Sequence, residues 1–437
     1  MSIALSQPKR FKPIDWLTPL LLVIMVVTMV INGTYLRVRD AEEESSVDWV
    51  VLVRLLAGAA GMAAGLLALL QGSPMGPVTK TLIAWSGCAL FSMLFTPHRV
   101  QVFGYALMLM GCVLMTAGLV SRAKDKAALE RVEAVWLGTV VIILLKDFFF
   151  LTLMAAPQLD PWGVARMGLR LVHPNALSNM AVLAFWVMLG RYRALFSGPF
   201  CAFFVLLVLR ARTRTSMAGL FIGAGIWLWY QLRPATAKAA SFRALIPLGY
   251  SAGISFVLVA TLLGAPGTGR FVSFINRGQS VEYLTQLTGR AAIWPVVVEK
   301  TFDEQFNMLF GHGYGISRIP INEGGGKNIL TFDASHAHNT FLEVLITTGI
   351  FGLIAFSLFL LGSSQWFFRF RRLERVFGLE FSLRAVCVTA TLFLSTMTEI
   401  YICGRVHPIM MLFFFYALVL DKRWYFERVA PPKPEPV

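Results

Sequence analysis

Charge is scarce in this sequence. Only 14% of its 437 residues are Asp, Glu, Lys or Arg, while 57% are hydrophobic. Soluble domains carry roughly 25% charged residues, so an ordinary globular protein is excluded. Cysteine is sparse as well. Cys88, Cys112, Cys201, Cys387 and Cys403 all fall inside or at the ends of apolar runs, with neither paired nor metal-ligand spacing. A disulfide framework and a thiolate zinc site are therefore excluded. No Asp-x-Asp occurs, and neither an internal repeat nor a low-complexity core is present. Acidic residues number 24 against 39 Lys and Arg, a net charge of +15. Such an excess can mark a nucleic-acid partner, but in so apolar a chain it follows from basic loops retained on the cytoplasmic side. No nucleic acid is expected.

What is present is a series of apolar runs of about 20 residues, the length that crosses a hydrocarbon core. Residues 1–12 are polar and basic, and the run from Trp16 to Ile31 lacks a small-residue cleavage site, so it reads as a retained helix. Spans are expected at about 15–33, 48–70, 79–96, 101–120, 132–152, 176–191, 195–210, 216–232, 244–264, 339–361, 382–402 and 406–421. Basic clusters precede the first span, follow the last, and fill alternate loops between (Arg122 to Arg131, Arg191 and Arg193, Arg233 to Arg243, Arg369 to Arg375). That parity predicts cytoplasmic termini. The expected fold is thus an all-α polytopic membrane protein of about twelve helices. It divides into helices 1–9 (residues 1–264), a long loop (265–338), helices 10–12 (339–421) and a tail (422–437). The loop is non-cytoplasmic and rich in Gly and Pro, and Ser280 to Phe302 within it reads as a helix.

Arginine also stands where positive charge is disfavoured. Arg210, Arg212 and Arg214 crowd the tight turn between spans seven and eight, and Arg166, Arg170 and Arg290 lie on the same non-cytoplasmic side. A guanidinium presents a planar fork suited to phosphate oxygens and stays charged when partly buried. Cations at membrane depth usually mark a ligand path; the alternative for each is snorkelling to lipid headgroups. For Arg214, wedged in Thr213-Arg-Thr-Ser216, the ligand reading is favoured. All six histidines (His98, His173, His312, His336, His338 and His407) map to this face or its helix ends. His336 and His338 with His312 suggest zinc, but no Cys or carboxylate spacing completes the site, and no metal or other cofactor is expected.

The segment His336-Ala-His338-Asn339-Thr-Phe-Leu-Glu, with Gly349 and Gly352 further on, leaves the long loop and enters the tenth span. Together with Thr288-Gly289-Arg290-Ala-Ala-Ile-Trp294, Thr213-Arg214-Thr215-Ser216 and His173-Pro174-Asn175, it resembles the O-antigen ligase and polymerase family. The resemblance covers roughly residues 160–360 by motif and the whole chain by topology. It implies a fold similar to membrane-embedded (GT-C-like) glycosyltransferases with a partly helical periplasmic loop, in the bacterial inner membrane. It also implies transfer of a glycan from an undecaprenyl-pyrophosphate donor to a hydroxyl of a lipid A-core acceptor on the periplasmic side, with inversion. By motif, His338 matches the family's catalytic histidine, and Arg214 and Arg290 its essential arginines.

The residues agree with that chemistry. The departing pyrophosphate gains negative charge, and arginines can supply fixed donors where it grows; Arg210 and Arg212 adjoin Arg214 in this role. The incoming hydroxyl needs a base, and His338 precedes a predicted helix whose positive end favours neutral imidazole. Asn339 is a good helix N-cap, and His336, Asn339, Arg166 and Arg170 are further candidates for donor or acceptor contacts. Other members of the family act as O-antigen polymerases or protein O-oligosaccharyltransferases, and those acceptors remain alternatives. A lipid-linked glycan transporter is the alternative of another class. The missing twofold repeat and the crowding of charge on one face speak against it.

Overall fold

A computed structural model describes residues 15–33, 49–72, 75–153, 158–159, 165–166, 174–192, 194–211, 213–231, 290–324, 336–397, 399–404 and 406–429. The expected ninth span (244–264), about half of the long loop (265–289 and 325–335), Arg170, His173, Arg212 and the end of the tail lie outside them. The helices are α1 (Leu17–Gly33), α2 (Trp49–Gln71), α3 (Pro77–Phe91), α4 (Arg99–Arg122), α5 (Lys126–Leu153), α6 (Pro174–Leu189), α7 (Ala194–Ala211) and α8 (Arg214–Gln231). After the loop come α9 (Arg290–Phe302), α10 (Gln305–Phe310), α11 (Arg318–Glu323), α12 (Thr340–Ser363), α13 (Gln365–Phe368), α14 (Phe370–Phe377), α15 (Leu379–Thr396) and α16 (Pro408–Val429). The strands β1 (Gln158–Leu159) and β2 (Ala165–Arg166) pair antiparallel between α5 and α6.

The protein is an all-α polytopic membrane protein. Five described helices are long and apolar enough to cross a membrane: α2, α3 with its 3-10 extension to Phe95, α4, α12 running on through α13, and α15. α1, α6 and residues 196–211 are shorter apolar helices. A helix that is apolar all round belongs in a core, and α6 is buried along its whole length, as is α16 from Pro408 to Leu420. Small residues set the closest approach. A Cβ on Gly65 of α2 would lie 2.3 Å from the Leu114 carbonyl carbon of α4, the kind of contact that packs helices where lipid offers no hydrophobic drive.

Two expectations change in detail. The eleventh span was drawn to residue 402, but α15 ends at Thr396 and residues 399–404 form an irregular turn. The basic stretch after α12 is itself an amphipathic helix, α14. It buries Phe370, Leu373 and Phe377 and exposes Arg371, Arg372 and Arg375.

Buried charges lock one end of the bundle. Arg384 of α15 donates from Nε and Nη2 to the two carboxylate oxygens of Glu133 on α5, at 3.0 and 2.9 Å, and from Nη1 to the Gly190 carbonyl at 3.0 Å. Arg191 adds a 2.5 Å bond to Glu133, the Tyr416 hydroxyl of α16 donates to it as well, and Glu130 lies 3.6 Å from Arg384. Gly190 follows the last residue of α6, so this lock stands about 24 Å along that helix from its first residue.

α12 is broken. Gly349 adopts φ 66°, ψ −167° within it, which frees carbonyls one turn back. The segment Gly311–Gly313 plugs the break: the amides of His312 and Gly313 donate to the carbonyls of Ile346 and Thr347 at 2.8 and 3.1 Å. The half-helix from Thr340 to Thr348 is thereby held by the loop that precedes it.

Candidate functional site

That half-helix carries the predicted histidines at its tip. Asn339 caps it: its backbone is extended, and its Oδ1 accepts from the amides of Phe341 at 2.9 Å and Leu342 at 3.2 Å. Its Nδ2 reaches the Met397 carbonyl at 3.5 Å. His338, one residue earlier, is left-handed with φ 53°. Left-handed backbone is uncommon for a side chain other than Gly, though His, Asn and Asp tolerate it better than most. Ala337 is pinned on both sides. Its amide donates to Glu343 Oε2 at 2.9 Å, and its carbonyl accepts from Trp294 Nε1 of α9 at 3.2 Å. Ser317 donates to the other Glu343 oxygen at 2.5 Å. The His336 and His338 rings consequently lie side by side, 3.9 Å between centroids and tilted by 44°.

A carboxylate from far along the chain completes the cluster. Glu399 is only 3% exposed, in the turn after α15. The nearest nitrogens of both histidines and an oxygen of Glu399 all lie within 4.8 Å of one another. The turn is held firmly. Thr340 Oγ1 donates to the Glu399 carbonyl at 2.6 Å, and the Tyr314 hydroxyl donates to the Gly404 carbonyl at 2.6 Å. Burial keeps that phenol well above its ordinary pKa, so it stays a donor. Burial likewise pushes up the Cys403 thiol, which packs against the Thr340 carbonyl and is no nucleophile.

From Glu399 the polar contacts lead to the arginine turn. Asn175, in the first turn of α6, donates from Nδ2 to Glu399 Oε1 at 2.6 Å, and Thr213 donates to Asn175 Oδ1 at 3.3 Å. Thr213 immediately precedes Arg214, the half-buried first residue of α8. Ser178 and Ser216 share a 2.8 Å hydrogen bond that ties α6 to α8 beside it. Three helix N-termini, those of α6, α8 and α12, thus meet around one buried carboxylate and two imidazoles. Helix N-termini carry partial positive charge, which suits an anionic ligand.

The structure brings together His338, His336, Asn339 and the start of the Arg214 helix. Arg210 is exposed near the end of α7. Arg290 opens α9, the helix that Trp294 anchors to the histidine loop, and Arg166 sits in β2; their side chains lie outside the described residues. His312 is not part of the cluster: its Nε2 donates to the Lys300 carbonyl at 2.9 Å. The sequence reading found no carboxylate to join the histidines, yet Glu399 supplies one. Together they have the donor types of a divalent transition-metal site. Glu399 escaped because it fell inside the span drawn to residue 402. A lone carboxylate within an apolar run is itself a signal, and it was the one that could have found this residue.

Helical bundle, broken half-helix and a buried polar cluster at converging helix ends describe a polytopic membrane protein with one concentrated polar site among its described residues. Residues 199–357 match the model of the O-antigen ligase family, the family that the motifs resemble. The match takes in Arg214, Arg290, His336, His338 and Asn339 but stops short of Glu399 and begins after Asn175. No curated protein matches the chain. The family implies an enzyme of the ligase or polymerase type, acting on a lipid-linked glycan and an acceptor.

Proposed function

We propose that the protein transfers O-antigen glycan from undecaprenyl pyrophosphate to a sugar hydroxyl of lipid A-core. In this reading the protein lies in the bacterial inner membrane with both termini cytoplasmic, and residues 265–338 are its periplasmic loop. His338 takes the proton of the acceptor hydroxyl as its oxygen bonds to the anomeric carbon. The bond from that carbon to the pyrophosphate oxygen breaks on the opposite side, and the pyrophosphate leaves with the electron pair. One displacement inverts the anomeric centre. Arg214 and Arg290, with Arg210 and Arg212, bind the pyrophosphate and need no metal to do so. The observation that carries this reading is the polar path from the Arg214 turn through Thr213, Asn175 and Glu399 to His338. It supports reading the arginine turn and the histidine as parts of one site.

The test is transfer by the purified protein in detergent, from undecaprenyl-pyrophosphate-linked glycan to core-only lipopolysaccharide, with and without EDTA. His338→Ala should lower the rate roughly 100- to 10,000-fold, the usual contribution of a general base. Arg214→Ala should lower the rate roughly 100- to 1000-fold, the usual loss for one donor aimed at developing charge. Growth of glycan on the donor lipid with the core untouched would instead identify a polymerase. Equal transfer by wild type and His338→Ala would overturn the assignment of the base.

A further inference from the structure

We infer that Glu399 is the positioning residue for the base: its carboxylate orients the His338 imidazole and stabilises the imidazolium formed on proton transfer. The inference rests on the reading of His338 given above; Glu399 itself lies beyond the matched family segment, which ends at residue 357. Glu399 is nearly buried, and only a partner keeps so buried a carboxylate from being a liability. Asn175 fixes one of its oxygens at 2.6 Å, the Thr340 hydroxyl fixes its backbone carbonyl, and the whole turn is pinned by Asn339 and Tyr314. So many restraints hold the carboxylate still beside two adjacent imidazoles, with a nitrogen of each and a carboxylate oxygen all within 4.8 Å of one another. An ionised carboxylate accepts hydrogen bonds only. Accepting from one ring nitrogen of His338 leaves the lone pair on the other nitrogen for the acceptor hydroxyl. When that nitrogen takes the proton, the imidazolium charge forms next to a fixed negative charge, and no reorganisation is needed. Proton count and charge both balance: the acceptor loses one proton, His338 gains it, and Glu399 changes neither.

The discriminating measurement is steady-state transfer by Glu399→Gln, alone and combined with His338→Ala. A general base supplies roughly 100- to 10,000-fold, so a misoriented base should cost at least about tenfold in kcat and less than its removal. The donor KM should stay near the wild-type value, and Glu399→Asp should recover part of the kcat. In the His338→Ala background Glu399→Gln should have no further effect, because a positioning residue acts only through the group it positions. A merely structural Glu399 would give additive losses, which would overturn the inference. Wild-type kcat for Glu399→Gln alongside a strongly impaired His338→Ala would overturn it too, while leaving the base assignment intact. Loss of wild-type transfer in EDTA with recovery in zinc would show Glu399 to be a metal ligand, and would also overturn it. Should Glu399→Gln fail to fold, Asn175→Ala keeps both groups and frees the carboxylate. Lower kcat at unchanged donor KM then supports the inference, and unchanged kcat rejects it.

Discussion

Asn339 spends both ends of its amide on structure, one on the first turn of α12 and one on the Met397 carbonyl. Loss of an N-cap side chain typically costs about 0.5–2 kcal/mol. Asn339→Ala should therefore lower the midpoint of thermal unfolding in detergent, and Asn339→Ser, which restores the capping oxygen, should regain most of the difference. Because His338 is the preceding residue and holds a left-handed backbone, the Ala variant should also lose kcat. The cap was legible in the sequence, since Asn before an apolar helical run is its ordinary signature. The left-handed turn at His338 was not, because it depends on Trp294 and Glu343 gripping Ala337 from either side.

Among the elements, α12 decides most. Its break was foreshadowed only by two glycines that look generic, and the partner that plugs it, Gly311–Gly313, sits more than 30 residues earlier. Gly349 has φ 66°, and a Cβ there would lie 2.3 Å from the Leu309 carbonyl carbon. Strained backbone of this kind costs of the order of 1–3 kcal/mol, and the steric conflict adds to it. Gly349→Ala is expected to depress the unfolding midpoint more than Asn339→Ala, and to reduce transfer in whatever folded protein remains. A midpoint equal to wild type would show the break to be incidental. The long loop illustrates the same limit: its helical stretch before Phe302 was visible in the apolar spacing, whereas the docking of α9 against the histidine segment is a tertiary fact.

For the whole molecule, span positions were readable because hydrocarbon thickness fixes the length of apolar runs. Every described helix from α1 to α8, and α12, α15 and α16, overlaps a run drawn from the sequence. Charges inside those runs were harder to interpret. Glu133 and Arg384 fall within predicted spans 251 positions apart, and nothing local says that they meet. Breaking such a buried pair by removing one partner usually costs about 3–5 kcal/mol. Glu133→Gln leaves Arg384 and Arg191 facing a neutral amide, so it should destabilise on that scale by thermal unfolding. The double change Glu133→Leu with Arg384→Met should cost less than Glu133→Gln alone. A larger loss in the double variant would mean that the network contributes more than charge balance.

Asn175 meets a partner 224 residues later in the chain. At a synthesis rate of about 5–20 residues per second, that separation amounts to roughly 10–45 s of translation. For most of that interval, once residue 214 has been made, the growing protein already carries the arginine turn, and for the last seconds both histidines. Yet Asn175 has no carboxylate to hold, and His338 has none beside it. If Glu399 positions His338 as proposed, a chain stalled or cut before residue 399 would carry the arginine turn and the histidines without the carboxylate that orients the base, so completion of synthesis would be the step that completes the site.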